Sequence, residues 1–185
     1  MIKSILKDAE SKMQQTLQVL EHELMGMRTG RASTALVERI TVEYYGSPVP
    51  LNTVAGLSVP EPQTIMINPY DRTILKDIER AIMNSDIGLT PNNDGNVIRL
   101  NIPPLTKERR QELVKLVGKR LEESRIAVRN IRRSAIDELR KKQKAGELSE
   151  DDLRHGEDEI QKLTDRYIKM IDDMGKRKEE EIMEV

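Results

Sequence analysis

Five arginines crowd one short stretch of this sequence: Arg125, Arg129, Arg132, Arg133 and Arg140, inside RIAVRNIRRSAIDELR. The guanidinium group forms paired hydrogen bonds to phosphate or carboxylate, so a row of them is equipped for polyanion recognition. At roughly 100° per helical residue, Arg125, Arg129, Arg133 and Arg140 fall within about 80° of one another. Arg132 lies about 60° from the centre of the apolar stripe, at its edge. Asn130 lies on the far side, and Arg109 and Arg110 open the same helix. Such a helix would bind structured RNA mainly through backbone and shape. The same arginines could instead form a ladder of ion pairs with an acidic neighbouring helix. On local evidence the two readings stand even.

Other chemistry is sparse. There is no Cys, and the two histidines, His22 and His155, lie among charged residues on helix surfaces. No pairing of His with Cys, His or Glu at ligand spacing occurs, so no metal site is expected. No glycine-rich phosphate loop is followed by Lys-Ser/Thr, so the chain is expected neither to bind nor to hydrolyse GTP. No catalytic residue or cofactor site is assigned, and the chain reads as a non-enzyme. Aromatic residues make up 2% and are all Tyr, which argues against base stacking as the main binding mode. No apolar run reaches the roughly 20 residues of a membrane span. The start, MIKSILKDAESKM, is too charged for a secretory signal. The lack of Cys fits a reducing compartment, and a cytoplasmic location is expected.

The elements that must carry the arginines follow from charge and periodicity. The formal net charge of −1 hides strong asymmetry. Residues 106–146 hold 14 basic and 6 acidic side chains, net +8, whereas residues 147–185 hold 7 basic and 14 acidic, net −7. Ile2, Leu6, Ala9, Met13, Leu17, Leu20, Leu24 and Met27 form one face of a long helix that should stop near Gly30. After Pro103-Pro104, Thr106 can cap a second helix, with Leu113, Val117, Leu121, Val128, Ile131, Ala135 and Leu139 on its apolar face. Ser149 can cap a third, whose stripe reads Leu153, Ile160, Leu163, Tyr167, Met170, Met174 and Ile182. Each single stripe must be buried against a neighbour, and a three-helix bundle satisfies all of them.

All 8 prolines lie between positions 48 and 104. There Ile40, Val42 and Tyr44 alternate as a strand, Gly46-Ser47-Pro48 reads as a turn, and a short strand is expected around Leu51–Val54. Thr64–Asn68 and Val97–Ile102 are further strands. Asp71 should cap a helix through Ile74, Leu75, Ile78 and Ile82, and Pro91–Gly95 reads as a turn. The fold class expected is α+β. Residues 1–30 and 105–185 form a long three-helix bundle, and 31–104 an inserted small β/α/β domain. The chain passes between them at Arg28-Thr29-Gly30-Arg31 and at Pro103-Pro104-Leu105, a natural hinge with the head at an angle to the rod.

Six blocks then stand in order along the chain: RTGRAS (28–33), VEYYG (42–46), NPYDR (68–72), PPLTKERR (103–110), VRNIRR (128–133) and QKLTDRYI (161–168). Together they resemble the ribosome recycling factor family over essentially the full length. The resemblance implies an L-shaped, two-domain protein without catalytic activity. It implies binding to the large ribosomal subunit and its ribosomal RNA after termination, and cooperation with elongation factor G in subunit dissociation. It carries Arg110, Arg129 and Arg132 over as RNA-facing residues, with Arg125 and Arg133 beside them in the basic cluster. Arg28, Gly30, Arg31, Pro103, Pro104 and Leu105 carry over to the hinge. The chain is expected to act as a monomer, outside any membrane. A helical scaffold or chaperone that holds protein clients is the alternative.

Overall fold

The computed structural model describes residues 1–184. The chain divides into two compact units, one of residues 1–24 with 110–185 and one of residues 25–109.

The first unit contains three long helices: α1 (Ile2–Met25), most of α4 (Lys107–Lys144) and α5 (Glu150–Met183). Their starts follow capping chemistry. Thr106 Oγ1 accepts from the Arg109 N–H at 3.1 Å, and Ser149 Oγ accepts from the Asp152 N–H at 3.0 Å. Glu150, Asp151 and Asp152 complement the positive end of α5. Gly146, at φ 78°, allows the chain to leave α4. Arg125–Asp172 and Arg140–Glu157 fix α4 and α5 as antiparallel neighbours. Arg120–Glu23 joins α4 to α1, and Arg166–Glu10 joins α5 to α1. Met13, Leu20, Leu139, Ile160 and Ile171 are fully buried between them.

The stripe on α5 differs from the expectation. Met170 is exposed, and Leu153 and Met174 are only half-buried. Gly156, Thr164, Ile171 and Gly175 occupy the interior face instead. The reason is close helix approach: a Cβ at Gly175 would overlap Leu121 Cδ1, and one at Gly156 would sit 3.0 Å from Leu139 Cδ1. On α4, Ser124 is buried while Ile131 is half-buried.

The second unit is a small head. Strands β1 (Thr41–Tyr44) and β2 (Ser47–Pro50) form an antiparallel hairpin. One helical turn, α2 (Leu51–Val54), leads into β3 (Ala55–Glu61) and β4 (Thr64–Pro69). Helix α3 (Leu75–Met83), β5 (Asn92–Asn93) and β6 (Ile98–Asn101) complete an antiparallel sheet of order β3-β4-β6-β5. Ile65, Ile67, Ile98 and Leu100 of the sheet pack in one core cluster with Ile78 and Ile82 of α3 and Val42 of the hairpin. As expected, Asp71 caps the helical segment, its Oδ1 accepting from the Thr73 N–H at 2.9 Å.

Four stretches of the head differ from the reading of the residues. The hairpin loop is only Tyr45-Gly46, so Ser47-Pro48 begins a strand. Leu51–Val54, expected as a strand, is a helical turn that buries Leu51 and Val54 three residues apart. Strand β3 has no sequence expectation behind it, because Gly56, Ser58 and Pro60 weaken its strand signal. Within Pro91–Gly95, Asn92–Asn93 pairs with β6, and the tight turn falls at Asp94.

Candidate nucleic-acid interface

Helix α4 holds the arginine cluster on one rigid element, and its residues divide by what each side chain meets. Arg125 turns to α5: Nη2 lies 2.6 Å and Nε 2.9 Å from Asp172 Oδ1, while Nη1 reaches Glu122 at 3.1 Å. The bond to Asp172 is the main reason its pKa is held above the ordinary arginine value. Arg140 also reaches across, 3.0 Å from Glu157. For these two the acidic helix supplies the counter-charge, as the ion-pair ladder requires.

Arg132 Nη1 donates to Gln161 Oε1 at 3.1 Å. A neutral amide leaves the positive charge of Arg132 uncompensated by contact, and its buried Nε has no hydrogen-bond partner. Gln161 is held in turn by Asp165, its Nε2 donating at 2.9 Å. Arg129 stays on its own helix, 3.5 Å from Glu122. Arg133 is exposed and, among the described residues, has no side-chain partner. Arg110 is half-buried at the start of the helix, and its Nε is likewise buried without a partner. Ile126, 49% exposed, lies one turn before Arg129 and Asn130, so an apolar side chain interrupts the basic face.

The structure thus brings Arg129, Arg132 and Arg133 together within about one turn, and separates from them Arg125 and Arg140, which are engaged with α5. Arg110 stands five to six turns away, since it precedes Arg129 by 19 positions at about 3.6 residues per turn. Total charge could not sort these residues, because the partner of each depends on its angle around the helix.

The expected crossing segments meet each other inside the head unit. Thr29 is buried and Gly30 adopts φ 82°. A Cβ at Gly30 would lie 3.3 Å from both the Leu105 N and Cγ. Proline, fixed near −65°, cannot replace Gly30 in this conformation. Pro103 and Pro104 are exposed, and Leu105 is half-buried against the glycine. Among the described residues no group of His, Cys, Asp and Glu could hold a metal ion, and no helix is long and apolar enough to cross a membrane.

Comparison with known proteins places this arrangement. The family model described as ribosome recycling factor matches residues 20–183. A ribosome-recycling factor of Dehalococcoides mccartyi is 57% identical over 185 residues, covering all of both chains. One from Shouchella clausii is 56% identical with the same coverage. A solution structure of a ribosome recycling factor superposes with a TM-score of 0.84 at 44% identity, covering 100% of this chain and 98% of that one. A second similar structure, at TM-score 0.70 and 48% identity, covers 99% of both chains. It belongs to models of the T. thermophilus ribosome recycling factor and the E. coli elongation factor G bound to the E. coli post-termination complex.

Proposed function

This chain belongs to the ribosome recycling factor family, and from that premise we propose how its residues serve ribosome recycling. It binds the post-termination ribosome in the cytoplasm and works with elongation factor G to separate the subunits. It acts as a monomer and without catalytic chemistry of its own. The large subunit is its platform, and α4 is laid along ribosomal RNA.

One observation carries the RNA assignment. Arg129 and Arg133 stay off the acidic helix α5, although that helix neutralises Arg125 and Arg140. A cation left facing water on a rigid helix is available to a phosphate without first breaking a strong ion pair. Arg132 adds a charge whose one side-chain hydrogen bond among the described residues is to the neutral Gln161 amide. Arg110 serves the same surface near the start of α4, and Arg125 contributes field more than contact.

Arg28–Arg31 and Pro103–Leu105 form the hinge between a bundle of residues 1–30 with 105–185 and a head of residues 31–104. What supports this is their mutual packing at Gly30 and Leu105, which makes the two strands of chain one joint.

Cosedimentation with vacant ribosomes across a salt series tests the reading. Binding should weaken steeply as salt rises, and Arg132→Ala and Arg133→Ala should each make the salt slope shallower by close to one charge. Salt-independent binding, or slopes unaltered in both variants, would remove the RNA assignment. Titration of the pure protein with GTP and Mg²⁺ should give no heat, and micromolar binding would contradict the non-enzymatic reading.

A further inference from the structure

We propose that Gln161 is a positioning residue for RNA binding, whose neutral amide keeps Arg132 out of the ion-pair ladder between α4 and α5 and so leaves its charge to a phosphate. The proposal rests on the RNA reading of α4 above and deepens it by naming the residue that holds one arginine available. It begins with the register of the ladder. Arg125 pairs with Asp172, and Arg140 pairs with Glu157. Seven residues forward from Arg125 on α4 stands Arg132, and seven back from Asp172 on α5 stands Asp165. Eight further in each direction stand Arg140 and Glu157. In antiparallel helices with the same rise per residue, equal steps place Arg132 and Asp165 on the same middle rung. That rung has both its arginine and its carboxylate. Yet Arg132 forms no ion pair with any described residue, and its one side-chain hydrogen bond goes to Gln161.

Gln161 stands between the two. Its Oε1 accepts from Arg132 Nη1 at 3.1 Å, and its Nε2 donates to Asp165 Oδ1 at 2.9 Å. The neighbours fix which way the amide points. A guanidinium can only donate and an ionised carboxylate can only accept, so the amide oxygen must face Arg132 and the nitrogen must face Asp165. Gln161 precedes Asp165 by four positions on α5, the spacing at which helix side chains meet. The outer rung shows what a carboxylate does instead. Asp172 Oδ1 takes two N–H groups of Arg125, at 2.6 and 2.9 Å. Gln161 takes one N–H of Arg132 and gives back no negative charge.

The consequence is electrostatic. A phosphate approaching Arg125 or Arg140 meets a cation already matched by a carboxylate and must compete with it. Arg129 is 3.5 Å from Glu122, which Arg125 also contacts. Arg132 and Arg133 are consecutive and neither touches a carboxylate among the described residues. Gln161 is exposed and Arg132 half-buried, so the amide bond lies at the edge of the seam, where an anion can reach the guanidinium. Asp165 remains close but acts through an intervening side chain, and water screens an exposed charge more strongly as the separation grows. Without the amide, the middle rung would close like the other two.

Ribosome cosedimentation across a salt series, read beside thermal melting, tests this on the whole protein. Gln161→Glu supplies the middle rung with a carboxylate in contact. Binding should weaken about tenfold and the salt slope should become shallower by close to one charge, while the melting temperature stays within a few degrees of the parent. In an Arg132→Ala background the same substitution should cost less than about twofold, because its effect passes through Arg132. Gln161→Ala removes the spacer and should weaken binding about fivefold as Arg132 closes on Asp165. Adding Asp165→Asn to Gln161→Ala should restore binding to within about twofold of the parent, a larger gain than Asp165→Asn gives by itself. An equal loss from Gln161→Glu with and without Arg132 would make Gln161 a contact of its own or a source of general repulsion, and would overturn the proposal. So would a lowered melting temperature with an unaltered slope, or no rescue by Asp165→Asn. If Arg132→Ala binds and responds to salt like the parent, the RNA reading falls and takes this inference with it. A weakened Arg132→Ala beside parent-like Gln161 variants removes only this inference.

Discussion

The helical unit and the head secure their folds by different means. In the helical unit, side chains far apart in sequence decide the packing: Gly175 against Leu121, Gly156 against Leu139, Arg125 against Asp172. In the head, short-range backbone devices do much of the work. Asp71 caps a helical turn, Asp94 ties the turn before β6, and Tyr45-Gly46 closes a hairpin. A long helix has little local information beyond its stripe, so its neighbours must be specified by shape. A small sheet can be specified by its turns.

The largest expected effect comes from separating the two units. Ile67 is fully buried in the head core, and Ile67→Ala should cost about 2–5 kcal/mol there. Helical circular dichroism, dominated by the other unit, should keep most of its amplitude while head amides lose exchange protection. Concerted loss of both signals would show that the two units do not fold separately.

Glycine on helices sharpens the contrast next. Gly175→Ala forces Leu121 to move and should lower stability by about 1–3 kcal/mol despite the better helix propensity of Ala. Gly118 on α4 has nothing near an added Cβ, so Gly118→Ala should raise stability by roughly 0.5–1 kcal/mol. Thermal melting of both variants checks the pair; equal effects would mean that α5 does not approach α4 as closely as Gly175 requires.

Within α4 the arginines should separate stability from binding. Arg125→Ala breaks a cross-helix pair and should cost up to about 1 kcal/mol, with little change in the salt slope of ribosome binding. Arg133→Ala should leave melting unaltered and reduce the slope. The opposite pattern would reverse their assignments.

The smallest effect lies at Asp94. Backbone N–H groups of Val97 and Asn96, with Arg99, lower its pKa to about 2. A depressed carboxylate contributes stability above its unfolded value, near 3.9, and that contribution is lost as pH falls through the folded value. Asp94→Asn should therefore flatten the acid limb of head stability between about pH 4 and 2, read from exchange at Asn96 and Val97. An unaltered limb would show that the turn does not depend on this carboxylate.

Much of this was legible in the residues. Apolar steps of three and four residues located all three long helices, because periodicity records which face must leave water. Thr106, Ser149 and Asp71 marked helix starts, since a cap needs only a nearby oxygen. The clustering of Pro between 48 and 104 marked the inserted head, and the arginine cluster marked the candidate face. Other features were hidden for definite reasons. Strand β3 carries Gly, Ser and Pro, and its place at the sheet edge rather than its propensity makes it a strand. Tyr45-Gly46 does not look like a two-residue hairpin loop, because Tyr rarely accepts positive φ. The glycines of α5 carry no side chain to enter an apolar stripe, yet Gly156 and Gly175 are where α5 packs closely on Leu139 and Leu121. Sequence alone determined which surfaces had to be buried and which helix was basic, because hydropathy and charge are carried residue by residue. Only the tertiary structure decided that Arg125 and Arg140 meet carboxylates while Arg133 faces water, since Coulombic pairing depends on distance between helices, and no spacing along one helix contains that distance.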